Sequence, residues 1–85
     1  MYYERIYTIL EEKSVILYLQ KRNLLKQYKV AKEKVLSWFV NKSDFKERKP
    51  TWLGIYSFRI NKQFRALCYQ REPDLYVVVR IDNHQ

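Results

Sequence analysis

One stretch of the chain constrains its fold more than any other. It runs Gly54-Ile55-Tyr56-Ser57-Phe58-Arg59-Ile60-Asn61-Lys62-Gln63-Phe64-Arg65-Ala66-Leu67-Cys68-Tyr69, followed by Leu75-Tyr76-Val77-Val78-Val79-Arg80-Ile81-Asp82-Asn83-His84. β-Branched and aromatic residues alternate here with polar ones at period two, the pattern of strands that bury one face. Tyr56, Phe58 and Ile60 share one face and Ser57 and Arg59 the other; in the next run Phe64, Ala66 and Cys68 lie opposite to Arg65, Leu67 and Tyr69. Directly opposed residues of an antiparallel pair share a face, so keeping Phe58 with Ala66 requires an odd loop. Asn61-Lys62-Gln63 is such a loop and sets Arg59 against Arg65. The third run divides into Leu75, Val77, Val79 and Ile81 on the apolar face and Tyr76, Val78, Arg80, Asp82 and His84 on the other. That division requires an even loop, and Arg71-Glu72-Pro73-Asp74 has the turn residues for it. The predicted register places Val79 opposite Ala66 and Arg80 opposite Arg65, so that Arg59, Arg65 and Arg80 form one row across three strands. Like charges opposed in a sheet destabilise it. The row is relieved by a bound phosphate, by pairing with Asp82 or Glu47, or by fanning of the long side chains into solvent.

Upstream the pattern changes to three-to-four spacing. Ser14 is positioned to cap a helix carrying Val15, Ile16 and Leu19 that ends near Arg22-Asn23. A second helix from Leu24 places Leu25, Tyr28, Ala31, Val35, Leu36 and Phe39 on one stripe, with Lys26, Lys29, Lys32, Glu33 and Lys34 on the remaining surface. The two form a helical hairpin against the sheet. Tyr3–Leu10 fits a helical stripe through Tyr3, Ile6, Tyr7 and Leu10 and equally a short strand. Asn41–Trp52, polar and broken by Pro50, reads as a loop or irregular edge. It holds the densest charge cluster, Asp44-Phe45-Lys46-Glu47-Arg48-Lys49, either a solvated connection or a set of phosphate contacts beside the sheet. The fold class is therefore α+β, one domain over residues 1–85 with a two-helix hairpin on a small antiparallel sheet.

Composition decides the class of partner. Seventeen Lys and Arg against nine Asp and Glu leave a net charge of +8, which points to a polyanion. Val15–Leu19 is the longest apolar run, far short of the ~18 residues of a spanning helix, and Met1-Tyr2-Tyr3-Glu4 does not begin a signal peptide. The expected location is the cytoplasm, with no membrane role. A lone cysteine, Cys68, forms neither an internal disulfide nor a thiolate metal cluster, and its alternation with Phe64 and Ala66 places it in the core.

Gly54-Ile-Tyr-Ser-Phe-Arg-Ile-Asn-Lys-Gln-Phe-Arg65 and the terminal Ile81-Asp82-Asn83-His84 resemble the RelE/ParE superfamily of bacterial type II toxins, above all its HigB-like and YoeB-like branches. The match is strong over about 30 residues; elsewhere the layout alone agrees. The resemblance implies a β-α-α-β-β-β chain, which favours a strand for Tyr3–Leu10. It also implies an mRNA endoribonuclease, acting as a rule on the ribosome and held inactive by a cognate antitoxin. The free toxin is expected to be a monomer and the inhibited form a hetero-oligomer. Arg65 matches the family's phosphate-contacting arginine, His84 its C-terminal acid/base histidine, Arg59 the arginine of the Arg-Ile-Asn motif, and Asp82 the carboxylate before the histidine. Asn83 stands where relatives often have a tyrosine, and Glu47 falls roughly where YoeB-like members place a glutamate.

RNA carries its own nucleophile, the 2′-hydroxyl, so cleavage needs a base, charge stabilisation for the phosphorane and an acid for the leaving oxygen, and neither metal nor cofactor. His84 suits proton transfer at neutral pH, Arg65 with Arg59 or Arg80 suits the scissile phosphate, and Glu47 or Asp82 suits orientation. Lys46, Arg48 and Lys49 suit flanking phosphates. Two other readings remain open: a ParE-like toxin acting on DNA gyrase without cutting RNA, and a basic RNA-binding module without activity.

Overall fold

A computed structural model describes residues 7–37, 46–47 and 53–83 of the chain, with the backbone alone for 46 and 47. The elements are β1 (Thr8–Glu11), α1 (Lys13–Lys21), α2 (Leu25–Ser37), β2 (Lys46–Glu47), β3 (Ile55–Arg59), β4 (Phe64–Glu72) and β5 (Leu75–Asn83). The sheet order is β1-β5-β4-β3-β2. Antiparallel pairing joins β2, β3, β4 and β5, while β1 adds in parallel to β5, which makes the sheet mixed. Two helices cover one face of it. Phe39, most of 41–52 and Tyr3 to Ile6 lie outside the described residues. No helix among the described residues is long and apolar enough to cross a membrane.

The ambiguous N-terminal segment is a strand from Thr8 onward. A helical stripe would bury Leu10, yet Leu10 is 45% exposed and Ile9 is buried, the alternation of a paired edge. At Glu12 the strand gives way to a helix. The Glu12 N–H donates to the Val78 carbonyl (3.1 Å), and the Glu12 carbonyl accepts from Val15 N–H (3.0 Å) and Ile16 N–H (3.3 Å). Glu12, not Ser14, is thus the N-cap of α1; it caps without a side-chain hydrogen bond, and Ser14 lies exposed in the first turn.

Asn23 ends α1 as its sequence suggests. Its φ of 57° is left-handed, its N–H donates to the Gln20 carbonyl (3.2 Å), and Leu24 N–H donates to the Leu19 carbonyl (2.8 Å). These are the two bonds of a Schellman motif, closed by buried Leu19 and Leu24. Arg22 lies 3.8 Å above the Tyr18 ring, a cation–π contact that covers this corner. The carbonyl of Leu24 starts α2 by accepting from Tyr28 N–H (2.8 Å).

Val15 and Leu19 of α1 and Tyr28, Ala31 and Val35 of α2 form the helical half of the core, against Phe58, Phe64, Ala66, Cys68, Val78 and Ile81 of the sheet. Tyr28 is the pivot between layers. Its ring packs 6.0 Å from that of Phe58, and its hydroxyl donates to Glu11 Oε2 (2.6 Å), which also accepts from Lys32 Nζ (2.7 Å). Burial, then the hydrogen bond to the Glu11 carboxylate and its charge, push the Tyr28 hydroxyl well above the ordinary tyrosine range.

The β3–β4 register follows parity: Phe58 opposes Ala66 and Arg59 opposes Arg65. In the connecting turn Asn61 Oδ1 accepts from the N–H groups of Gln63 (2.8 Å) and Phe64 (2.9 Å), and Asn61 Nδ2 donates to Gln27 Oε1 on α2 (2.7 Å). The next hairpin departs from expectation. Arg71 and Glu72 belong to β4, and the turn is Pro73-Asp74 alone. Register shifts fall between Gln70 and Glu72 and between Leu67 and Cys68, leaving Arg71 and then Val79 as extra residues. Tyr76 and Val78 consequently face the helices where Val77 and Val79 were expected, while Ile81 faces inward and Arg80 and Asp82 outward as expected. Tyr76 gains an edge contact with Tyr56, 5.2 Å between ring centroids, and its hydroxyl accepts from Gln70 Nε2 (3.3 Å). Three consecutive valines fit either face, which is why one bulge can sit among them.

Candidate functional site

The face of the sheet away from the two described helices presents three rows, each two strand residues from the next and hence about 7 Å apart. The first is Arg59–Arg65–Asp82, the second Ser57–Leu67–Arg80, and the third Ile55–Tyr69–Val77–Leu10. The row of three arginines expected from parity is therefore broken: Arg80 opposes Leu67, not Arg65, because the turn is Pro73-Asp74 instead of four residues, which slides β5 by two pairing steps, while the one-residue shifts at Arg71 and Val79 cancel. Asp82 takes the place opposite Arg65. Arg59 and Arg80 are exposed, and Arg65 and Asp82 are half-buried.

The exchange matters electrostatically. A carboxylate now stands in register beside two opposed guanidinium groups, so the row is alternately charged at one end and cationic at the other. Opposed Cβ atoms lie about 5 Å apart, so the Asp82 charge offsets part of the Arg59–Arg65 repulsion in the row. Arg80, one row along, adds a third cation on the same face. The group can accept an anion among three guanidinium forks next to one carboxylate. Ser57, beside Leu67 in the second row, is buried at 1% exposure.

Beside this face an open cleft of about 450 Å³ runs between Ser14, Val15 and Tyr18 of α1 and residues 79–83 of β5. It forms because β1 pairs with β5 only as far as Val78, and the chain then turns away into α1. Arg80 and Asp82 border both the cleft and the face. At the far end of the strand Gln63 Nε2 donates to Asn83 Oδ1 (3.0 Å), so the β3–β4 turn holds the last described residue of β5.

Of the other candidates, Lys46 and Glu47 pair by backbone with Ser57 and Tyr56 at the sheet edge, which puts Lys46 at the end of the Ser57–Leu67–Arg80 row. Arg48, Lys49 and His84 lie outside the described residues. Cys68 is buried, with its thiol donating to the Tyr56 carbonyl (3.6 Å), and burial pushes its pKa up to about 12. It is a core thiol, not a nucleophile. The clamp from Gln63 to Asn83 and the apolar surround of Tyr69 were not anticipated from sequence. Alternation put Tyr69 on the face of Arg65, but its neighbours depend on pairing across four strands.

No protein-family model matches the chain, and no curated protein matches it either. Solved structures do. A chain of a heterotetrameric YoeB–YefM toxin–antitoxin complex from Staphylococcus aureus superposes with a TM-score of 0.62 at 15% identity, covering 93% of this chain and 98% of that one. A chain of a second YoeB–YefM complex from the same organism gives the same TM-score of 0.62, 15% identity and coverage of 93% and 98%. At that identity the likeness establishes the architecture: this chain has the α+β fold of those proteins, two helices packed on one face of a small mixed sheet.

Proposed function

We propose that the chain, as a single domain over residues 1–85, is the toxin of a type II toxin–antitoxin pair and a metal-independent endoribonuclease that cleaves mRNA on the ribosome. The observation that carries this reading is the cationic face itself: Arg59, Arg65 and Arg80 with Asp82 on the side of the sheet away from the described helices. The fold likeness to chains of YoeB–YefM complexes supports a toxin with an antitoxin partner. The RelE/ParE-like motif supports the chemistry.

Cleavage proceeds by attack of the 2′-oxygen on the adjacent phosphorus. A base removes the 2′-hydroxyl proton, the new P–O bond forms, and the bond to the 5′-oxygen breaks as an acid protonates that leaving oxygen. Products are a cyclic 2′,3′-phosphate and a 5′-hydroxyl. Arg65, with Arg59 or Arg80, carries the negative charge that builds on the phosphorane. Asp82 orients Arg65 from the opposing strand. His84, the residue after clamped Asn83, is assigned a proton transfer on the strength of the family motif, and Glu47 the orientation of the second. Lys46, Arg48 and Lys49 hold flanking phosphates. The free toxin is a monomer acting in the cytoplasm, and antitoxin binding makes the inactive hetero-oligomer.

The test is to express the wild-type chain, His84→Ala and Arg65→Ala, then follow growth and map mRNA 5′ ends. New ends and growth arrest are expected for wild type and neither for the folded variants. Arrest by His84→Ala with no new ends in any culture would sink the nuclease and leave a toxin that acts on another target.

A further inference from the structure

The open face changes character along β4. Arg65 lies in the row with Arg59 and Asp82, and Leu67 lies next to Arg80. Tyr69 falls in a row that carries no charge among the described residues, with Ile55, Val77 and Leu10. Val77 is buried, Tyr69 and Ile55 are half-buried, and Leu10 keeps 45% of its surface exposed. The result is a packed apolar floor bearing a partly exposed aromatic ring. The helices lie on the other side of the sheet, so no described helix covers it.

We propose that Tyr69 is a stacking platform for an unpaired RNA base, with Ile55, Val77 and Leu10 as its apolar surround and the arginine rows holding the neighbouring phosphates. This rests on the reading of the face as an RNA site. The occupant follows from the juxtaposition of charge and ring. Cationic rows recognise the backbone of any polyanion, but a ring set in an uncharged floor offers nothing to a phosphate and a full π-face to a base. Bases are available to such a ring in single strands and not inside an A-form helix. Four strand residues separate Arg65 from Tyr69, about 13 Å, a span that a few nucleotides of extended single strand bridge. The ligand is therefore a single-stranded segment lying along β4, phosphates towards Arg65 and Arg80 and one base on Tyr69.

The two halves of the face respond differently to salt, and that separates them. Each phosphate contact in a single strand contributes about −0.7 to the slope of log affinity against log salt, whereas stacking contributes nothing to that slope. The full-length chain is titrated against a fluorescein-labelled, uncleavable 2′-O-methyl oligoribonucleotide of about ten residues, over a range of salt. Tyr69→Leu, which keeps apolar bulk without a π-face, is expected to weaken binding roughly 5- to 150-fold at every salt concentration with the wild-type slope. Tyr69→Phe is expected to bind as wild type, and Arg65→Ala to make the slope shallower by about 0.7. Circular dichroism and the thermal midpoint verify that each variant is folded. Wild-type affinity in Tyr69→Leu, alongside a shallower slope in Arg65→Ala, overturns the platform and leaves the RNA site standing. A loss as large in Tyr69→Phe as in Tyr69→Leu also overturns it, because the hydroxyl and not the ring would then be responsible. A wild-type chain that fails to bind the probe at low salt overturns both readings.

Discussion

Exchanging Asp82 for Asn tests the register of the arginine face directly, because the side chain keeps its shape and loses its charge. Asp82 stands opposite Arg65, and both are half-buried. Their Cβ atoms are about 5 Å apart, and unit charges brought to about that separation in water attract by roughly 1 kcal/mol. Side-chain ordering and screening reduce this to about 0.5–1 kcal/mol for a pair of this exposure. A small domain shifts its thermal midpoint by about 4–8 °C per kcal/mol, so Asp82→Asn is expected to lower Tm by roughly 2–8 °C at low ionic strength. At 1 M salt, where the Debye length is about 3 Å, most of the loss should vanish. The partner is identified by a double-mutant cycle with Arg65→Gln, read by thermal unfolding at both salt concentrations. Coupling of about 0.5–1 kcal/mol between positions 65 and 82 is expected at low salt. Arg80→Gln provides the control: were Arg80 opposite Arg65, removing its charge would relieve repulsion and raise Tm through a coupling of opposite sign. A cycle with no 65–82 coupling, or a salt-independent loss in Asp82→Asn, would refute the pairing and the electrostatic argument built on it.

Three further outcomes follow from the scaffold. Tyr28→Phe keeps the ring against Phe58 but leaves Glu11 with Lys32 as its bonded partner; a loss of about 1–2 kcal/mol is expected in urea unfolding, as for a hydrogen bond to a charged group at a partly exposed site. Asn23→Gly should be neutral or slightly stabilising, while Asn23→Val should cost about 1–2 kcal/mol because a β-branched residue resists the left-handed conformation. Burial raises Cys68 from about 9 to about 12 and Tyr76 from about 10 to about 12, so the unfolded chain loses these protons before the folded one does. Stability should therefore be intact below about pH 9 and fall as pH climbs to about 12, measured as Tm against pH; a thiol reagent that labels native Cys68 as fast as the denatured chain would contradict this.

Some of this face could be read from the sequence, and the reasons are local. Arg59 and Arg65 oppose each other because a three-residue turn joins two runs of clear polar–apolar alternation, and Asn61 has the side chain to close that turn. Arg80 was misplaced because all of Arg71-Glu72-Pro73-Asp74 has turn composition, and a turn two residues shorter slides β5 by two pairing steps; Val77-Val78-Val79 carries no alternation that would reveal its extra residue. Arg71 misled for a related reason: with Glu72 and Pro73-Asp74 it looks like loop, yet it is a bulged strand residue. The parallel seat of β1 on β5 was illegible because four residues hold too little pattern to name a partner. Ser14 had the composition of a cap, but the hydrogen bond from Glu12 to Val78 fixes where strand becomes helix, and that bond joins residues far apart in sequence. The role given to His84 stands on the sequence and its family resemblance, and that of Arg48 and Lys49 on the charge cluster they belong to, all three lying outside the described residues.

The two extra residues of the last hairpin have a consequence for shape. Without Arg71 and Val79, β4 and β5 would pair as an unbroken ladder with every other side chain on the face it already occupies. The bulges thus decide no residue's neighbours once the turn is set; what they add is bend and right-handed twist. Both lie close to the row of Tyr69, one on each strand, so the sheet coils where the apolar floor meets the cationic rows. A hairpin shortened by both residues would carry the same chemistry on a flatter surface, and a polyanion that follows the curved face would meet its arginines and its tyrosine at the wrong angles.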